Sequence, residues 1–180
     1  MAINIIDVTV VWKEYIAMIV EYAQGTTQGR PNLDSIMREV VEENLSRVRA
    51  KLQQLSPPGV VTKKKLKHKA SSALLWREFD KRLRKRAEQR KPEYTPWRLP
   101  MEATKYAFRR YDVDAFIQAD GKYDHTRNAD IHHIWPETLK GPSKGWNLVP
   151  LPPFTHHDIL HPILDRIVRE SKEGQRFRLL

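Results

Sequence analysis

Residues 129–170 read ADIHHIWPETLKGPSKGWNLVPLPPFTHHDILHPILDRIVRE, and the order of signals along this stretch decides the fold class. Ala129–Trp135 is rich in β-branched and aromatic residues and stops at Pro136, the pattern of a strand. Pro136, Gly141, Pro142 and Gly145 make the next segment a loop. A second strand is expected over Trp146–Leu151. A helix follows from about Thr155, with Thr155 as N-cap and Asp158 at the third helical position. Strand, loop, strand and helix in succession form a ββα unit, so the class expected is α+β.

Five of the seven histidines lie between 132 and 161, and their spacing assigns them different chemistry. His157 and His161 are four apart and would project from one face of a helix, as two ligands of one metal ion must. Pro162 complicates this, because it cannot donate into a helix that began at Thr155; the regular part could instead start near His161. On a strand the neighbours His132 and His133 point to opposite faces. One can hold a cation while the other stays available for a proton. Hydrolysis of a phosphodiester needs that division: a cation neutralises the phosphate and the leaving alkoxide, and a neutral imidazole deprotonates a water. An ordinary imidazole pKa of about 6.5 suits the second task. The chain has no cysteine, which excludes disulfides and thiolate sites and leaves His, Asp, Glu and Asn as ligands. Imidazoles favour Zn or Ni in affinity, with Mg or Mn as alternatives for turnover. Trp135, Trp146 and Phe154 are expected in the core under the hairpin.

The composite of His132-His133, Ile134-Trp135-Pro136, Asn147-Leu148 and the H-x-x-x-H pair His157/His161 resembles the HNH/endonuclease VII (ββα-metal) superfamily. The likeness is to its His-His variety, found in colicin-type DNases and in secreted nuclease toxins of bacterial competition. It covers about 40 residues. It implies that His132 is a metal ligand, His133 the general base, Asn147 a brace that orients the base, and His157 and His161 the remaining ligands of one divalent ion. Asp130 resembles an acidic residue that those DNases place near the site, where it would orient a histidine. The interval from Asn147 to His157 is one residue longer than in that pattern, so His156 stands as an alternative ligand. The resemblance further implies an endonuclease that cuts DNA rather than RNA with little sequence specificity. An antibacterial effector neutralised by an acidic immunity protein is one role; a phage or defence nuclease acting where it is made is another. The alternative from a different class is a non-catalytic nucleic-acid-binding module stapled by a His-ligated structural metal.

Outside this stretch, charge is the main signal. The chain's net charge is +10, and the 29 residues of Lys63–Lys91 hold thirteen Lys and Arg against Glu78, Asp80 and Glu88, which accounts for the whole excess. Such runs are often solvated faces. Beside a nuclease-like site, this one is a candidate footprint for a polyanion, with Lys63, Lys64, Lys65, Lys67, Lys81, Arg82, Arg84, Lys85 and Arg86 as the phosphate contacts. A face of Lys and Arg positions phosphates without reading bases.

The N-terminal half reads as helical. Apolar residues at three- and four-residue spacings predict a helix over 5–24, and a second one from Pro31-Asn32-Leu33-Asp34 to about Leu55; the two are expected to pair as a hairpin. Ser56-Pro57-Pro58-Gly59 is expected to open a linker. A basic helix over Ser71–Gln89 should turn Leu74, Leu75, Phe79 and Leu83 inward, and a short helix is expected near 102–111. The domain organisation expected is therefore a helical region at 1–91, with its basic arm at 63–91, followed by the ββα module at 92–180. No 18-residue apolar run and no signal-peptide pattern is present, so a protein without membrane contact is expected, cytoplasmic where it is made and reaching another cell only through a dedicated secretion system.

Overall fold

The computed structural model describes residues 4–23, 31–89, 130–151 and 164–180. Their architecture is mixed α+β, with helices packed around two small sheets. The chain enters through a short strand, β1 (Ile5–Asp7), followed by α1 (Thr9–Ala23), α2 (Pro31–Gln53), β2 (Val60–Thr62) and α3 (Ser72–Gln89). The hairpin strands β3 (Asp130–His133) and β4 (Leu148–Leu151) come next, then α4 (Arg166–Arg169) and β5 (Arg176–Arg178).

Residues 5–7, expected to begin the first helix, are instead extended. Asp7 separates them from α1, accepting a hydrogen bond on Oδ1 from Thr9 N at 3.0 Å, an N-terminal cap that starts the helix two residues later. The segment after Pro57-Pro58 is likewise no linker. Gly59 takes a left-handed φ of 70°, open to glycine without steric cost, and turns the chain into β2. Both surprises have one cause. β5 lies between the two short strands, parallel to β1 and antiparallel to β2, with Phe177 opposite both Ile6 and Val61. Val8 N donates to Arg178 O at 3.0 Å and Leu179 N to Gly59 O at 2.8 Å, extending the pairing on either side. Three-residue strands carry almost no periodicity, so the partner that makes them strands is a segment about 115 to 170 residues away.

The helices bury the stripes their spacing suggests. α1 contributes Trp12, Tyr15 and Ile19, α2 contributes Val40, Val48 and Leu52, and α3 contributes Leu75, Phe79 and Leu83. Leu74 is the exception, at 38% exposure on the outer face of α3, and Trp76 is buried in its stead. These side chains join Ile131, Leu148, Val149 and Leu151 of the hairpin and Val168, Phe177 and Leu179 of the C-terminal segment in a single apolar core. The described residues before position 90 and after position 129 thus share one interior. The expected boundary near 92, the helix near 102–111 and Phe154 lie outside the described residues. No helix among them is long and apolar enough to cross a membrane.

The hairpin strands are shorter than expected: β3 ends at His133, and Trp146 falls in a single tight helical turn, Gly145–Asn147, that leads into β4. The two are antiparallel, with His132 opposite Val149 and His133 opposite Leu148. Phe177, 1% exposed, anchors the central strand of the other sheet. Its truncation, Phe177→Ala, should cost about 3–5 kcal/mol of unfolding free energy in urea titrations, and a loss under 1 kcal/mol would mean that β5 is not central to the core.

Candidate functional site

β3 separates its two histidines as a strand must. His132 is buried, 8% exposed, and its Nε2 lies 2.5 Å from the Tyr15 hydroxyl of α1. His133 is half-buried on the other side, with Nε2 3.0 Å from Ser143 Oγ. Asp130 is half-buried at the open end of the hairpin, opposite Leu151.

The fourteen residues between β3 and β4 are held by Asn147. Its Oδ1 accepts from Trp135 N at 2.8 Å, and its Nδ2 donates to Trp135 O and Pro142 O, both at 2.9 Å. Its backbone carbonyl accepts from Ile134 N at 2.8 Å. A buried amide saturated in this way fixes the loop through main-chain groups alone. Two glycines allow the close approach: a Cβ on Gly141 would sit 1.8 Å from Trp135 O, and one on Gly145 would sit 2.6 Å from Glu78 O of α3. Lys140, between them and the preceding turn, has a φ of 68°, a left-handed conformation that a side chain seldom adopts.

Two residues the sequence did not single out reach the hairpin from the N-terminal helices. Tyr15 Oη lies 3.0 Å from both His133 O and Ile134 O, as well as beside His132 Nε2. Asn44 of α2, fully buried, donates from Nδ2 to Gly145 O at 2.9 Å and Leu148 O at 3.0 Å, and accepts on Oδ1 from Arg82 Nε at 3.3 Å. Asn44 sits among Val40, Val41 and Val48 on an otherwise apolar stripe, and a lone amide in that setting was the available sign of a buried polar role. Tyr15 gave no such sign, because an aromatic at that position reads as core. Ser143 is an ordinary loop serine in sequence.

The basic residues divide into two groups. Arg82 and Arg86 turn back onto α2. Arg82 pairs with Glu43, and Arg86 reaches Glu39 at 3.0 Å and Glu43 at 3.1 Å. Lys63 donates to the carbonyls of Val168, Arg169 and Ser171, closing the C-terminal end of α4. Lys64 is half-buried, while Lys65, Lys67, Lys81 and Lys85 are exposed, Lys81 beside Glu78 at 3.4 Å. The side chain of Arg84 lies outside the described residues. Arg47 of α2 stacks on Trp146, 5.5 Å from the ring centre, so that this aromatic serves packing between α2 and the loop. Trp135 is buried and donates from Nε1 to Leu139 O at 2.8 Å.

The structure therefore brings together Asp130, His132 and His133 on one strand and Asn147 at the foot of the next. His156, His157 and His161 lie outside the described residues, as does the helix expected from Thr155. Among the described residues no group of three or more His, Asp or Glu side chains gathers around one point. No family model matches the chain, and comparison with curated proteins and with solved structures found no similar one.

Two outcomes follow from this geometry. Replacing Asn147 with Ala strips partners from one buried N–H and two carbonyls, and should lower stability by about 3 kcal/mol, measured by urea unfolding monitored through Trp fluorescence. Burial, with a smaller contribution from the charge of Asp165, raises the Tyr15 hydroxyl well above its ordinary pKa of 10.0. A pKa raised in the folded state stabilises the fold fully below the unfolded value and loses that contribution as pH climbs through the folded one. Wild type should therefore lose stability above pH 10 more steeply than Tyr15→Phe in matched denaturation series; parallel curves would exclude the shift.

Proposed function

We propose that this chain is a metal-dependent endonuclease of the HNH (ββα-metal) type, hydrolysing DNA phosphodiester bonds with little sequence specificity. The observation that carries the reading is the splayed pair on β3, His132 buried against α1 and His133 turned toward the Asn147-braced loop. Adjacent residues with separate environments suit separate tasks.

In this reading His133 is the general base. Its ring accepts a proton from water, the water oxygen attacks phosphorus, and the bond from phosphorus to the leaving oxygen breaks. Ser143, 3.0 Å from Nε2, orients the ring before substrate arrives. Asn147 holds the backbone on which both groups ride, and Asp130 orients a histidine, as the resemblance implies. The donor set suits a divalent ion: His132 is a buried imidazole whose Nε2 is already engaged by a neighbour, the usual arrangement of a liganding histidine, and the chain offers no thiolate. His132 with His161 and either His157 or His156 would hold the ion. When bound, it would neutralise charge on the phosphate and the leaving oxygen.

The exposed cations Lys65, Lys67, Lys81 and Lys85, with Lys64, supply the phosphate-contacting surface, whereas Arg82, Arg86 and Lys63 serve the fold. DNA is favoured over RNA on the resemblance. An antibacterial effector held in check by an acidic immunity protein is the role proposed, since the same lysines would meet acidic side chains.

The test is plasmid cleavage by wild type and His133→Ala with Mg, Mn, Ni or Zn. Wild type should nick and linearise DNA with at least one metal, and His133→Ala should be slower by about 10²–10⁴-fold. Absence of cutting by wild type under every metal, with metal and DNA still bound, would favour the non-catalytic module.

A further inference from the structure

Tyr15 belongs to a helix far from β3 in sequence, yet its hydroxyl lies against His132 and the main chain of the two residues that follow it. Among the described residues, three groups lie around one phenol oxygen: His132 Nε2 at 2.5 Å, His133 O at 3.0 Å and Ile134 O at 3.0 Å. The phenol has one proton to give and lone pairs to receive. With an ordinary pKa of about 10, a phenol keeps that proton at neutral pH. The two carbonyls can only accept.

If His132 Nε2 were bare, three acceptors would compete for a single proton, and two carbonyl oxygens would face the phenol oxygen with no hydrogen between them. If Nε2 carries its proton, the count closes. Nε2–H donates to Tyr15 Oη, and the phenol proton is shared between the two carbonyls in a three-centre bond. A neutral imidazole protonated at Nε2 keeps its lone pair on Nδ1.

We propose that Tyr15 is a positioning residue that fixes His132 in the Nε2–H tautomer and so makes Nδ1 the nitrogen that His132 offers to a metal ion. The role of Nδ1 as a ligand rests on the reading of the site given above; the tautomer itself does not. The same hydroxyl pins the backbone of His133 and Ile134, so a single side chain sets the orientation of the ligand ring and the path of the strand carrying the base. This gives α1 a function in the site. α1 brings one hydroxyl to the place where both histidines sit on the strand.

The experiment uses the full chain. Nitrogen-15 NMR of the histidine rings in metal-free wild type at neutral pH should show His132 with a protonated Nε2 and an unprotonated Nδ1. Calorimetric titration with Zn should then give an affinity about 10–100-fold weaker for Tyr15→Phe than for wild type, with the two matched in circular dichroism. A proton on Nδ1 in wild type overturns the proposal. So does a folded Tyr15→Phe that binds Zn as tightly as wild type, or a wild type that binds no Zn at all. If Tyr15→Phe does not fold, the wild-type tautomer decides alone. Should wild type show the tautomer and the dependence on Tyr15 yet cut no DNA with any metal, Tyr15 keeps its role and the nuclease reading fails.

Discussion

The geometry of the histidine strand depends on one buried amide. β3 and β4 are each four residues long and are joined by fourteen, a span in which main-chain pairing alone would leave many conformations open. Asn147 removes that freedom by bonding main-chain groups from both limbs of the loop at once. Its partners are backbone atoms, so the constraint does not depend on which side chains decorate the loop. An aspartate in its place would keep the acceptor but set a carboxylate against two carbonyls, and a leucine would bury all three partners unsatisfied. Gly141 is required for the same reason, since a Cβ there would collide with Trp135 O, whereas Gly145 is required where the loop passes against Glu78 of α3.

A second set of buried polar contacts places this loop against the rest of the molecule. Tyr15 grips the β3 side and Asn44 the β4 side. Asn44 is in turn bonded by Arg82, which with Arg86 pairs to carboxylates on α2. Hydrophobic packing would hold α1, α2 and α3 near the hairpin without specifying their rotation. Directional bonds to named carbonyls specify it. A charge-dense helix therefore does two jobs: its inner cations cross-link two helices, and its outer lysines remain at the surface. Net charge alone could not distinguish these groups, because the distinction depends on which turn of α3 faces Glu39 and Glu43.

The long apolar stripes of α1, α2 and α3 were legible because a helix repeats its pattern over many turns, and one wrong residue, such as Leu74, does not spoil it. The hairpin was legible because its breakers, Pro136, Gly141, Pro142 and Gly145, bracket two apolar runs. The three-stranded sheet was not. Ile5–Asp7, Val60–Thr62 and Arg176–Arg178 are too short to show alternation, and each becomes a strand only through distant partners. Among site residues, the opposed faces of His132 and His133 follow from strand geometry. Tyr15, Asn44 and Ser143 were hidden because their importance lies in what stands opposite them. The inward turn of Arg82 and Arg86 was hidden likewise, as tertiary pairing is invisible to a charge count.

The central place of β5 bears on how the chain is made. During synthesis, α1, α2 and α3 can form as they emerge, since the hydrogen bonds within a helix are local. β1 and β2 do not pair with each other, because the strand that belongs between them is made more than 110 residues after β2. Until residues 176–178 arrive, both carry unpaired backbone edges, and the apolar face that Phe177 will cover stays open to water. Closure over so long a sequence separation is entropically costly and slow, and exposed edges in the interval invite pairing with other chains. The described fold is therefore completed only when β5 arrives, and any process that delays or removes that strand leaves the first-made helices without their cover.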